Sequence, residues 1–265
     1  MRLFDSLTHA SADGAWLDND RYDGGIARLV EELRRIAPSR ACLVAIAGYQ
    51  SNDDIEQFTR QHPDLFVPIA GFDPSKVDGP DEIERQLGAL TQRGFAGIKM
   101  HPRLNHYDPL DVRSQQTIEA AGRHGLVVFL DTLFRQRDIV TRHPADVIDT
   151  LVNGHQGTRF VLLHGGGAHL LELFEMGRMH DHILIDVSFT LMRYAGSSID
   201  QDIRFLCNQL DQRITVGSDM PEYTPAATLE RITTLMDGLP IDKQENVLFR
   251  NLERLFADWP GMPGI

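Results

Sequence analysis

Eight times along this 265-residue chain, a short run rich in Val, Ile, Leu and Phe is followed by an amphipathic stretch. The runs are Arg2–Asp5, Cys42–Ala47, Phe66–Gly71, Ala96–Met100, Leu126–Leu130, Phe160–Leu163, Ile183–Val187 and Ile214–Gly217. A strand with one wet face alternates apolar and polar residues, whereas these runs mostly do not, as expected of strands covered on both faces. Between them, apolar residues recur at helical spacing: Ile26, Leu29, Val30 and Leu33; Ile83, Leu87 and Leu90 behind a Pro80-Asp81 first turn; Val247, Leu248, Leu252, Leu255 and Phe256 near the end. Repeated β-then-α units predict an α/β fold, and eight of them predict a single (β/α)8 TIM barrel, one domain over residues 1–265. A doubly wound open sheet would want a glycine-rich phosphate loop after an early strand. Gly165-Gly166-Gly167 follows the sixth run, with the wrong spacing for that role.

Composition narrows the partners. No apolar run approaches a membrane span, and Asp5 interrupts any leader-like N-terminus. A formal net charge of -12 disfavours nucleic acid and anionic membranes. Two cysteines are too few for a metal framework; Cys42 in a strand and Cys207 in a helical stretch read as buried, reduced thiols. The expected setting is therefore cytoplasmic, with a small molecule as partner and self-association left open.

In a barrel, groups just after strands line the active face, and groups before strands serve stability. That rule sets aside His62, His124, His155, His180 and His182, which precede strands or end helices. His106, His143 and His169 lie further along the active-face loops and have no assigned role. Strand ends deliver His9, Tyr49, Asp73, Lys99, His101, Asp131, His164, Ser188 and Asp219. Any one alone is more often a cap than a catalyst; their convergence on one face carries the expectation. Side-chain alternation groups Thr215, Gly217 and Asp219, and likewise Gly97, Lys99 and His101, Val127, Phe129 and Asp131, and Phe160, Leu162 and His164. The early loop from Ala10 to Asp23 carries Trp16, a candidate pocket wall.

These landmarks, taken in order, resemble the amidohydrolase superfamily, in particular its amidohydrolase-related barrels of metal-dependent hydrolases, lactonases and non-oxidative decarboxylases. The resemblance runs from Phe4 to Phe256. It rests on Asp5-Ser6-Leu7-Thr8-His9 for the family's Asp-x-His-x-His, on Gly97-Ile98-Lys99-Met100-His101-Pro102, and on Leu130-Asp131-Thr132. Leu163-His164-Gly165-Gly166, Gly217-Ser218-Asp219-Met220-Pro221 and the closing Asn251–Phe256 complete the set. Two departures stand out: Leu7 replaces the first of the paired histidines, and Asp131 stands where the family has a fifth-strand histidine. Asp219 matches the family's metal-binding, proton-shuttling aspartate, and His164 its later histidine.

The resemblance implies three chemistries. A divalent ion, zinc or manganese, would be held by His9, Asp131 and Asp219, activating water and polarising a carbonyl. Alternatively the metal is weakly bound or absent: Asp219 acts as general base on water, and His164, His101 or Lys99 stabilises the oxyanion. The loss at Leu7 inclines the reading this way. Thirdly, the barrel is catalytically inactive and binds a small molecule. Arginines after strands, Arg103, Arg135, Arg137 and Arg193, suggest an anionic substrate. The expected enzyme is thus a hydrolase of a carboxylate-bearing lactone or cyclic amide, with a non-oxidative decarboxylase as the alternative.

Overall fold

The computed structural model describes residues 1–262 except Asp18, Asp20, Ala37 and residues 135–141. Its strands are β1 (Leu3–Thr8), β2 (Ser39–Val44), β3 (Phe66–Gly71), β4 (Gly97–Met100), β5 (Val127–Asp131), β6 (Phe160–Leu163), β7 (Ile183–Asp186) and β8 (Ile214–Thr215). Each pairs in parallel with the next in chain order. Beyond β8 the chain turns to β1 and nearly closes the barrel. The Ser6 N–H donates to the Val216 carbonyl (3.0 Å), Asp219 N–H to Leu7 (2.8 Å) and His9 N–H to Met220 (2.9 Å). The expected (β/α)8 barrel is the observed one, with β3 and β6 bounded as the apolar runs predict.

Two apolar layers explain why the runs fail to alternate. Phe4, Val44, Ile69, Val127, Phe129, Val161 and Leu163 fill the barrel, and Leu252 and Phe256 close its floor. Phe256 lies 6.2 Å from the Phe4 ring and 6.5 Å from Phe129. The alternate residues, among them Leu43, Ile98, Met100, Val128, Leu130 and Leu162, face the surrounding helices. Those helices begin where the sequence provides a cap or a proline. Ser51 and Asp111 accept from N–H groups of the first turns of Asn52–Gln61 and Val112–Arg123, and Pro80 opens Pro80–Gln92. Cys42 and Cys207 are free and buried, as expected. Among the described residues, no helix is long and apolar enough to cross a membrane.

One irregularity aims the first strand. Between Asp5 and Thr8 the register with β2 slips, so β1 carries one more residue than its partner. A bulge of this kind redirects side chains. Its backbone is pinned by Asp5, whose Oδ1 accepts from the N–H groups of Leu7 (3.1 Å) and Ser218 (2.9 Å). The approach of β8 is equally close: a Cβ on Gly217 would lie 2.7 Å from the Leu7 nitrogen, so only glycine fits there.

Candidate active site

The C-terminal ends of the strands surround a cavity of about 260 Å³. Its lining includes His9, Lys99, His101, Arg103, His164 and Asp219, with Trp16, Phe189 and Glu222. Each polar group arrives by a traceable route. His9 follows the bulge of β1, and its Nδ1 donates to the Val44 carbonyl (2.6 Å), which leaves the Nε2 lone pair facing the mouth. That nitrogen lies 3.3 Å from Lys99 Nζ and 3.5 Å from Asp219 Oδ1, while Trp16 stacks on the ring at 4.8 Å. Lys99 projects inward from β4 and is almost wholly buried.

A second group gathers round Asp131 at the end of β5. Its Oδ2 lies 3.2 Å from His101 Nε2, 3.3 Å from His164 Nε2 and 3.5 Å from Arg103. No angle among these makes a conventional hydrogen bond, and Arg103 Nε is likewise buried without a partner. Asp131 is nonetheless held by three nitrogens, whereas the Arg103 Nε–H is expensive to leave unpaired and faces a cavity that can receive an acceptor.

His164 corrects the alternation argument. Phe160 and Leu162 face the helices, yet His164 turns into the mouth, because its φ is +65° and the ladder has ended. The three glycines that follow also have positive φ (Gly165 +55°, Gly166 +70°, Gly167 +62°), a path that side chains would strain. The turn is anchored from below by Asp186, which accepts from Ser6 Oγ (2.6 Å), Ser188 Oγ and N–H (3.1 Å to the latter), and His164 N–H (3.3 Å). Ser188 Oγ in turn lies 3.1 Å from His164 Nδ1.

Burial and neighbouring charge then set the protonation pattern. Burial first, and the Lys99 charge second, bring His9 down to about 4, so the ring is neutral at pH 7. Burial holds His101 well below its usual value despite the pull of Asp131. Burial opposes ionisation of Asp131, but His101, His164 and Arg103 outweigh it and keep the carboxyl well below the usual range. Asp219 follows the same balance: burial is overcome by the His9 contact and by the charges of His164 and Lys99, bringing it to about 2. For His164, burial is outweighed by Asp131 and Asp219, and the value rises. Burial lowers Lys99, with Asp219 and Asp131 pulling the other way.

A divalent cation does not fit this mouth. Leu7, fully buried in the barrel interior, offers no donor where the expected pair needs one. The Lys99 ammonium faces the His9 lone pair that a metal would use. A doubly charged ion ~4 Å from an ammonium meets roughly 8 kcal/mol of repulsion at an effective dielectric near 20. The predicted donors also divide, Asp219 with His9 and Asp131 with His101 and His164. Among the described residues, the three-donor group whose ligand atoms all lie within 4.8 Å of one another is His143, His169 and Glu172, outside the mouth.

A sequence profile described as Amidohydrolase matches residues 11–257. The chain belongs to that family. This amidohydrolase is also similar to solved structures, at identities that speak for the fold alone. An uncharacterised TIM-barrel protein from Bordetella bronchiseptica superposes with a TM-score of 0.80 at 17% identity, covering 97% of this chain and 99% of its own. The 5-carboxyvanillate decarboxylase of Sphingomonas paucimobilis gives 0.69 at 15%, covering 97% and 99%. The 5-carboxyvanillate decarboxylase of Novosphingobium aromaticivorans, solved with manganese and 4-hydroxy-3-methoxy-5-nitrobenzoic acid, gives 0.71 at 11%, covering 96% of each chain. No curated protein sequence matches.

The remaining expected residues of the amidohydrolase divide. Trp16 and Arg103 line the cavity. Arg193 does not: it ends the short helix Thr190–Arg193, exposed, because that helix turns its basic end to solvent. Arg135 and Arg137 lie outside the described residues. Asp73 caps a 3-10 turn through Ser75 N–H, and Tyr49 is exposed. Sequence reasoning missed Glu222, Phe189 and the Asp186 anchor. Asp186 had a visible signal, a carboxylate inside the apolar run Ile183–Val187; Glu222 follows Asp219 by three residues.

Proposed function

We propose that this amidohydrolase-family enzyme hydrolyses a small carboxylate-bearing lactone or cyclic amide, with the Lys99 ammonium acting where relatives carry a divalent metal. The observation that supports this most is the 3.3 Å contact of Lys99 Nζ with the neutral His9 beside an ionised Asp219. Asp219 takes a proton from water as the oxygen attacks the carbonyl carbon. The carbonyl oxygen gains negative charge, which Lys99 and the imidazolium of His164 stabilise. Collapse breaks the ring bond, and the leaving oxygen or nitrogen receives a proton from His164. The pairing that keeps Asp219 ionised also makes it a weak base, so the cations must supply most of the activation. One oriented donor of this kind contributes about 3–4 kcal/mol. The unpartnered Nε–H of Arg103 speaks for an anionic oxygen on the substrate, and the cavity volume for a molecule with one or two small rings.

A second reading is non-oxidative decarboxylation of an aromatic carboxylate. It is favoured by the solved decarboxylases of the same fold. One experiment separates the two. Chelator-treated enzyme is offered carboxylated lactones and hydroxybenzoates in a pH-stat fitted with a carbon dioxide electrode. Acid release from a lactone without carbon dioxide supports the hydrolase. Carbon dioxide from a hydroxybenzoate, restored only by added manganese, overturns it.

A further inference from the structure

Outside the mouth, His143, His169 and Glu172 converge from two helix starts. His143 immediately precedes the helix Pro144–Gly154; His169 immediately precedes Leu170–Met179, and Glu172 follows it by three residues on the same face. His169 Nδ1 lies 2.8 Å from Glu172 Oε1, and His143 Nδ1 lies 3.5 Å from Glu172 Oε2. The imidazole rings meet edge to face, centroids 4.8 Å apart. Potential ligand atoms of all three lie within 4.8 Å of one another. Tetrahedral bonds of about 2.0–2.1 Å imply donor separations of about 3.3 Å, so the observed spacing is that of a nearly assembled site.

We propose that this group binds one zinc-class divalent ion. Two imidazoles and one carboxylate suit zinc, cobalt or nickel, whereas magnesium and calcium want oxygen shells. Side-chain exposures of 46% for His143, 19% for His169 and 46% for Glu172 leave a path from solvent and room for water as the remaining ligand. The ion would tie the start of one helix to the start of the next, beside the loop that carries His164, and so act as a structural clamp. This site is independent of the hydrolase reading, because its donors are not those that line the mouth. It also means that metal content alone does not report on the mouth.

The test uses the full chain, stripped with chelator and titrated with zinc chloride by calorimetry, with thermal unfolding followed in parallel. The wild type and Asp219→Asn should each bind one ion per chain, and both should melt at higher temperature with zinc. His169→Ala and Glu172→Gln should each weaken binding by more than the ~10–100-fold typical of an outer-shell loss. Without zinc, Glu172→Gln should melt like the wild type, because that side chain is exposed, so its weaker binding is not an unfolding effect. With cobalt, the wild type should show the intense visible bands of a four-coordinate ion, and His143→Ala should lose them. Absence of zinc binding in the wild type overturns the proposal. So does binding that survives in both His169→Ala and Glu172→Gln, or that is lost in Asp219→Asn.

Discussion

Replacing Lys99 by Met tests the central chemistry most directly. Met keeps an unbranched side chain of similar length and removes only the charge and donors, so packing in the barrel changes little. The ammonium is almost wholly buried, with its nearest polar contact His9 Nε2 at 3.3 Å. If it stabilises the oxyanion, kcat should fall ~10²–10³-fold, the loss seen when one oriented donor is removed. KM should move far less, since the interaction strengthens only as charge develops. The same change should be visible without substrate. His9 is held at about 4 by burial first and Lys99 second, so Lys99→Met should raise its titration and leave the desolvation part in place. The assays are steady-state kinetics on a carboxylated lactone and NMR titration of the His9 ring, with thermal unfolding as the folding control. A folded variant with kcat within threefold of wild type would refute the reasoning, because the only charge facing His9 from β4 would then be irrelevant to turnover.

Three further outcomes are expected. Burial pushes Asp5 up to about 7, against the opposing hydrogen bonds from Ser218 and Leu7, so its folded value exceeds the unfolded value near 3.9. Its contribution to stability is then fully present below about pH 4 and lost as pH rises through about 7, by about 4 kcal/mol. Asp5→Asn should remove that slope in urea unfolding between pH 4.5 and 8; an unchanged slope would sink the assignment. His164 must be protonated to stabilise the oxyanion and its value is raised, so kcat/KM should decline on the alkaline side, above pH 6.5, and His164→Gln should abolish that limb. Finally, Leu7→His with Lys99→Met, in a His169→Ala background, restores the paired imidazoles and removes the opposing charge. Zinc should then raise its melting temperature, while Leu7→His in the same His169→Ala background, with the ammonium still in place, should respond weakly. Equal responses would mean that Lys99 does not oppose the ion.

Local pattern determined much of this protein. Unalternating apolar runs at regular spacing can be satisfied only when both faces of each strand are covered, and eight of them in chain order leave a barrel. Of the nine groups the strand-end rule collected, His9, Lys99, His101, His164 and Asp219 line one cavity and Asp131 packs against them, whereas Tyr49, Asp73 and Ser188 do not line it. Leu7 was legible as a lost donor because a hydrocarbon side chain cannot coordinate anything.

Tertiary structure decided the rest, for reasons that do not propagate along a sequence. Alternation holds only while ladder hydrogen bonds last, so the left-handed residue at His164 and the bulge in β1 redirect side chains in ways no two-residue period records. Electrostatic character depends on through-space distances set by neighbouring strands. That Lys99 faces His9, that the carboxylates divide between two groups, and that Arg193 stays out of the cavity lining all follow from how the strand ends and loops pack. The same is true of His143, His169 and Glu172: three unassigned residues in the chain become a coordination geometry only because two helices begin side by side.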